Sequence, residues 1–286
     1  MKAPTFKETK KEHTGLSYSS LSTYLACPRK YYHSKVAKTE KDPGIEDRTA
    51  FDVGSTFHLV LEDSKHNLTG LKYSTIVAAC HKVVPVLGKE FAEEYAPMIT
   101  AMLQSYRTMH EKSGMTVIAC ELELETPTFY GFVDVILMDD DGLWWIADMK
   151  TAASYSKMLP ATLPRNLQLN LYAAHVKLVA EKLNLSVKDF AGVRYRLTTK
   201  SKLKRKTGEE MIPFIKRVGF GISSYDFAIS REELDVRSAL DIHSHGFEGT
   251  KSKDVKSYTC NFNNCVQYYR FCEYFSRCHG APPYEA

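Results

Sequence analysis

Asp134, Asp148 and Lys150 are the residues whose chemistry demands an explanation. They fall in the stretch GFVDVILMDDDGLWWIADMKT, residues 131–151. It reads as two strands and a tight turn. Phe132 to Met138 alternates and is rich in β-branched residues, DDDG is a turn signal, and Leu143 to Ala147 is a second apolar run. Asp134 sits on the first strand, with Asp148 and Lys150 at the end of the second. Packing does not explain two acids and a lysine at the end of a buried hairpin, because a buried charge costs roughly several kcal/mol unless it is paired or bound to metal. A divalent cation held by Asp134 and Asp148, with Lys150 beside it, offsets that cost.

The elements on either side must position these residues. Downstream, PRNLQLNLYAAHVKLVAEKL (164–183) reads as a helix with Leu167, Leu171, Ala174 and Leu178 as its buried stripe. Gln168 and Tyr172 lie four apart on an adjacent face, and 157–163 is a connecting loop. Upstream, GSTFHLVLEDSKH (54–66) reads as a helix with His58 and Glu62 on one face. Glu62 either orients His58 or is solvent-exposed. Segments 72–85 and 89–112 read as helices, the second amphipathic through Phe91, Tyr95, Met98, Met102 and Tyr106. TVIACELELE (116–125) reads as a strand. Ile118, Cys120, Leu122 and Leu124 share one face, and Glu121, Glu123 and Glu125 share the other. That acidic face is either solvated or brings Glu121 or Glu123 towards the metal.

The tripeptide Asp-x-Lys is weak evidence, since Asp63 and Lys65, and Asp254 and Lys256, repeat it. Only Asp148-Met149-Lys150 follows an apolar strand, lies downstream of Gly131-x-x-Asp134 and precedes the helix of Gln168 and Tyr172. In that order the motifs resemble the PD-(D/E)XK nuclease superfamily, in particular its RecB-like/Cas4-like branch with AddB-like iron–sulfur members. The resemblance runs from Ser17 to Cys278. It implies an α/β, restriction-endonuclease-like core, with a small mixed central sheet flanked by helices and with N- and C-terminal segments joined at a cysteine metal cluster. It implies Mg²⁺ or Mn²⁺ held by His58, Asp134, Asp148 and the Met149 carbonyl, His58 matching a Gly54-x-x-x-His58 helix. Lys150 would position or help deprotonate a water, and Gln168 and Tyr172 would hold the strand. The implied activity is a DNA exonuclease on single-stranded or frayed ends, in recombination, repair or DNA processing, as a stand-alone phage-type or Cas4-like form. Recombination or replication proteins are the implied partners. The second reading is a non-catalytic DNA-binding scaffold of a recombination complex.

A positive cluster follows the core. DFAGVRYRLTT (189–199) reads as a strand exposing Arg194 and Arg196 around Tyr195. KSKLKRK continues it with Lys200, Lys202, Lys204, Arg205 and Lys206. Such a patch neutralises phosphates, and interleaved aromatics stack on bases, so the segment is read as a DNA contact. Residues 211–227 read as a strand pair and 231–243 as a helix. HSHGFEGTKSKD (243–254) reads as a flexible polar loop, with His243 and His245 as loop residues.

Cys260, Cys265, Cys272 and Cys278 make four of the seven cysteines. Thiolates clustered in this way hold zinc or an iron–sulfur cluster. Cys27 ends a helix, SSLSTYLACPRKYYH (19–33), that Ser19 or Ser20 caps and Pro28 interrupts. The resemblance implies a [4Fe–4S] cluster on Cys27, Cys265, Cys272 and Cys278, with Cys260 as the alternate. Tyr269 stands where the family pattern has a Cys before Cys272. Zn²⁺ on Cys260, Cys265, Cys272 and Cys278 is the competing reading. Cys80 and Cys120 read as core thiols.

The 286 residues, 44% hydrophobic and 25% charged with a formal charge of +4, suit a globular protein that tolerates nucleic acid. No run approaches the roughly 18–20 apolar residues of a membrane span. The polar start, MKAPTFKETKKEHTG, is no signal peptide. The expected location is the cytoplasm of a bacterial or phage-infected cell. The expected organisation is a flexible basic lead-in over 1–16, one nuclease domain over 17–278 and a tail over 279–286. Segments 17–35 and 258–280 form the cysteine lobe.

Overall fold

A computed structural model describes residues 14–42, 49–261, 264–267 and 270–279. The expected lead-in and tail lie outside the described residues, apart from 14–16 and 279. Ser17 caps α1 (Tyr18–Ala26) by accepting the Ser20 N–H at 3.2 Å, so the cap falls earlier than Ser19 or Ser20. Pro28 opens the four-residue α2 (Pro28–Tyr31), leaving Cys27 at the joint. Three helices follow, α3 (Thr49–Asp63), α4 (Tyr73–Val83) and α5 (Gly88–Ser113).

The sheet is built from β1 (Thr116–Glu125), β2 (Tyr130–Met138) and β3 (Trp144–Ala152), then β4 (Phe190–Thr199) and β5 (Ser224–Ser230). Its order is β1-β2-β3-β4-β5, antiparallel except for the parallel β3–β4 pair. A parallel pair needs a long crossover. Here α6 (Leu159–Thr162), α7 (Leu167–Ala174) and α8 (Val176–Leu183) supply it. The expected single helix over 164–183 is broken at His175, which caps both halves. After β4 comes α9 (Met211–Gly219), where the sequence suggested a strand. Its apolar residues Phe214 and Val218 recur at helical spacing and are buried. The expected flexible loop after His243 is the continuation of α10 (Val236–Gly249). His243 is buried there and donates from Nε2 to the Leu16 carbonyl at 3.1 Å. A two-residue hairpin, β6 (Val266–Gln267) and β7 (Arg270–Phe271), and α11 (Phe275–His279) end the described chain.

Each face of the sheet carries a core. Val135, Leu137, Ala147 and Met149 pack under α3, α4, α5 and α9. Val133, Ile136, Trp144 and Ile146 pack under α1, α7, α8 and α10. The architecture is thus the expected α/β one, a mixed central sheet flanked by helices. No helix among the described residues is long and apolar enough to cross a membrane.

Strand β1 departs from simple alternation. A bulge lies between Val117 and Ala119, and Glu121 has φ +47°. Cys120 therefore packs with the first core and Leu122 and Leu124 with the second, while Ile118 is 38% exposed. The expected shared face of these four residues does not form, because each irregularity shifts the two-residue period.

Arg194 and Arg196 are not a DNA-facing pair. Arg196 is 1% exposed, and both guanidinium groups bind one carboxylate, Asp226 on β5, at 2.9 and 3.0 Å. Arg196 also donates to Tyr106, His110 and Ser113 of α5. Alternation placed both arginines on one face correctly, but α5 covers that face. Asp226→Ala strands two buried guanidinium groups without an anion. It should lower stability by about 3–5 kcal/mol, read as a shift of the urea midpoint. A shift smaller than about 1 kcal/mol would show the cluster to be dispensable.

Candidate active site

The site lies where two strands part. β2 and β3 pair from Met138–Trp144 up to Val135–Ala147, and β3 then continues against β4 as far as Ala152. Asp134 and Asp148 flank the opening. Asp134 Oδ2 accepts the Met149 N–H at 2.6 Å. Its carboxylate thus takes an amide on the side that β2 has left. Helix α3 closes one wall. Gly54 makes this approach possible, since a Cβ there would sit 3.0 Å from Thr151 Oγ1 on β3. One turn later the helix presents His58, with Nδ1 4.0 Å from Asp134 Oδ2. The result is a groove of about 840 Å³, lined among others by His58, Glu121, Asp134, Met149, Lys150 and Lys200.

Asp148 is 1% exposed. Its Oδ1 accepts from Lys150 Nζ at 2.8 Å, and its buried Oδ2 has no partner among the described residues. Burial pushes its pKa up to about 6 against the pull of Lys150, with the Asp134 charge adding to the rise. Burial likewise raises Asp134, opposed by Lys150 and the Met149 N–H. Burial alone would lower Lys150, but Asp148 and Asp134 outweigh it and hold the ammonium charged. Burial and Lys150 bring His58 down to about 4, so its ring is neutral at pH 7. A hydrogen bond to the Met149 backbone opposes that shift and places the ring beside the expected carbonyl ligand.

Of the two glutamates the sequence left open, Glu121 reaches the site. One ligand atom each from His58, Glu121 and Asp134 lies within 4.8 Å of the others. The β1–β2 register sets Glu121 across from Asp134, between the pairs Cys120–Val135 and Leu122–Val133. Its left-handed backbone is rare for a non-glycine residue and persists only where the surroundings enforce it. Burial, then Asp134 and Glu62, push its pKa up to about 7. Glu62 itself is exposed on the groove wall.

Residues 15–279 match the family model of the PD-(D/E)XK nuclease superfamily. The chain belongs to that superfamily. No curated protein matches it. Nine chains of solved structures do. One is the crystal structure of SSO0001, 11% identical, covering 79% of this chain and 85% of that one at a TM-score of 0.26, a likeness too slight to bear on function.

Nucleases of the PD-(D/E)XK superfamily are phosphodiesterases that use divalent metal ions, and a member of it would bind DNA. The residues present fit such an ion. Asp134 and Asp148 both act on Lys150, Glu121 joins Asp134 and His58, a buried carboxylate oxygen lacks a partner, and the nearby imidazole is neutral.

Tyr172 and Gln168 stand behind the site. Tyr172 is 4% exposed, donates to the Phe132 carbonyl at 2.7 Å and accepts from Gln168 Nε2 at 2.9 Å. Burial raises its hydroxyl pKa. The pair ties α7 to β2 two residues before Asp134, and neither residue lines the groove. Of the basic run, Lys200 lines the groove and donates to the Ala50 carbonyl at 2.6 Å. Lys202, Lys204 and Arg205 line a separate cavity with Glu93, Glu94 and Tyr95. Lys204 lies 3.8 Å from Glu94, Arg205 Nε donates to the Glu209 carbonyl, and the Lys206 backbone N–H donates to the Glu209 carboxylate.

Among the described residues Cys260, Cys265 and His279 bring ligand atoms within 4.8 Å of one another, a group that differs from the expected Cys27, Cys265, Cys272 and Cys278. Cys260 and Cys265 Sγ are 3.6 Å apart, and Cys27 Sγ accepts the Asn261 N–H. Burial and then Cys260 push Cys265 and Cys278 up to about 12, with Cys27 and Cys272 contributing to both. His279 Nε2 lies 3.4 Å from Cys265 Sγ, a neighbour that the sequence reading missed although it directly follows Cys278. Thiols that raise one another's pKa fit a cationic centre, which would stabilise them as thiolates. Cys80 and Cys120 are core thiols, both raised by burial.

The raised Glu121 pKa has a consequence for stability. Its folded pKa lies above the unfolded value, so its contribution is full below about pH 4 and is lost as pH rises through about 7. Partial exposure discounts the effect to about 1 kcal/mol. In EDTA, Glu121→Gln should melt about 2–4 °C higher than wild type at pH 8 and level with it at pH 4. Equal melting at both pH values would remove Glu121 from the site's electrostatics.

Proposed function

We propose that the chain is a Mg²⁺- or Mn²⁺-dependent DNA exonuclease acting on single-stranded or frayed ends, of the RecB-like/Cas4-like branch. The observation that carries this reading is the partnerless Asp148 Oδ2 at the strand fork, beside a charged Lys150 and a neutral His58. Asp134, Asp148, His58, Glu121 and the Met149 carbonyl would hold the metal. Bound there, a divalent ion lowers the pKa of a coordinated water and offsets charge developing on the phosphate. Lys150, kept as an ammonium by both aspartates, supplies a fixed hydrogen-bond donor for that charge. The Met149 N–H fixes the Asp134 carboxylate, and Tyr172 with Gln168 fixes the β2 backbone leading into it. Lys200 at the groove mouth attracts the strand. The organisation we propose is one nuclease domain over 17–278, with 17–35 and 258–280 forming the cysteine lobe.

That lobe would carry a [4Fe–4S] cluster on Cys27, Cys265, Cys272 and Cys278, with Cys260 as a substitute ligand. Linking Cys27 to Cys265 cross-links the ends of the domain, which stabilises as long-loop closure does. Protein purified without oxygen should then be brown, with iron and sulfide in stoichiometric amounts. Colourless protein holding zinc would replace the cluster by a Cys260, Cys265, Cys272 and Cys278 site.

The deciding experiment is cleavage of end-labelled linear and of circular single-stranded DNA with Mg²⁺ or Mn²⁺, wild type beside Lys150→Ala. Wild type should degrade the linear strand alone, and Lys150→Ala should lose roughly 10²–10³-fold in rate while still binding DNA. Cutting of the circle would make the enzyme an endonuclease. Absence of cleavage with either metal would favour a DNA-binding scaffold.

A further inference from the structure

A second pocket, of about 280 Å³, opens beyond the far end of α3. Its walls include Lys65, His66, Asn67, Arg107 and His110. None of them belongs to the cleavage site, and their hydrogen bonds fix the character of the pocket.

Tyr106 is the key. Its buried hydroxyl accepts from Arg196 Nη1 at 3.2 Å, and among the described residues His66 Nδ1 at 2.7 Å is the one partner left to take its proton. His66 Nδ1 is therefore an acceptor, and the ring proton sits on Nε2. Arg196 Nη1 also donates to His110 Nδ1 at 3.0 Å, which puts the proton of that ring on Nε2 as well. Burial, and then neighbouring His110 and Arg196, hold His66 down to about 3, and burial with Arg196 lowers His110. Both rings thus stay neutral with one tautomer. Their centroids are 6.4 Å apart, and among the described residues neither Nε2 has a protein partner.

Charge behind the wall has a definite sign. Arg194 and Arg196 share the single carboxylate of Asp226, so one positive charge remains in surplus. At the mouth stand Lys65 and Arg107, the latter bridged to Glu111 at 2.6 Å. The chain also accepts backbone strain to place these groups. Lys65 and His66 are consecutive left-handed residues, with φ of 49° and 61°, at a helix end where glycine is the usual occupant. Two N–H donors, the Lys65 ammonium, an Arg107 shared with Glu111 of the same wall and a buried positive surplus make a pocket for an anion with several acceptor oxygens.

We propose that this pocket binds a phosphate group of the strand being cut, at a distance from the cleavage centre. His66 lies eight positions after His58, past the end of α3 at Asp63, and outside the groove that His58 lines. The assignment to a strand rests on the nuclease reading, whereas the phosphate chemistry does not.

The full chain, with its cysteine site intact and divalent metals removed by EDTA, provides two readouts. Inorganic phosphate, followed by ¹⁵N resonances of histidine side chains, should shift Nε2 of His66 and His110. A labelled single-stranded oligothymidine, followed by fluorescence anisotropy, should bind Lys65→Gly/Arg107→Ala about tenfold more weakly, with a salt slope lower by about 1.4. Lys65→Gly alone should raise the melting temperature while weakening binding, a pairing of signs that a purely structural residue does not give. Phosphate shifts with unchanged strand affinity would mean the pocket serves free phosphate, and would overturn the strand assignment. Absence of both effects would overturn the site. If wild type cuts DNA in that case, the nuclease reading survives. If wild type binds phosphate here but cuts nothing, the pocket stands and the nuclease reading falls.

Discussion

The bond between Asp134 and the Met149 N–H makes the rest of the site possible. Two paired strands leave no room for a ligand between them, and parted strands leave unpaired amides. A carboxylate from one strand caps an amide of the other, so the fork stays open and an acid points into it. Everything around the fork serves this arrangement. Tyr172 anchors β2 just before it, Gly54 lets α3 close over it, and β4 continues to pair β3 beyond it.

The acids are held in a state that a folded chain alone does not favour. Asp148, Asp134 and Glu121 all have raised pKa values, for which burial is the first cause. Lys150 compensates only in part. Such a site is preorganised for a cation, because the penalty of gathering the ligands is met during folding rather than at binding.

Much of this was legible in the sequence. The strand–turn–strand pattern of 131–151 placed Asp134, Asp148 and Lys150, and Gly54 and His58 stood at the spacing a helix needs. The cysteine spacing suggested a metal site, and the fold brings Cys260 and Cys265 together with His279. What stayed hidden depended on tertiary context. Alternation said that Arg194 and Arg196 share a face, but not that α5 covers it. Glu121 could not be separated from Glu123, because the choice turns on a bulge and one left-handed residue. The basic run after β4 looked uniform, yet Lys200 alone of its cations lines the groove, since its neighbours turn towards Glu93, Glu94 and Glu209. His279 and the proton positions on His66 and His110 follow from contacts far apart in sequence.

The cysteine lobe has a consequence for biosynthesis. Arg29 donates to the Tyr258 carbonyl, Cys27 receives the Asn261 N–H and Asp42 binds Ser276, contacts spanning 229 to 234 positions. On the ribosome, α1 and α2 emerge first and their partners emerge near the end of the described chain. The sheet can assemble in the interval, but Cys27 must wait with its thiol unpartnered. Loading of the proposed cluster would be deferred until translation has passed residue 278, and a chain truncated before that point would carry a complete strand fork without its clasp.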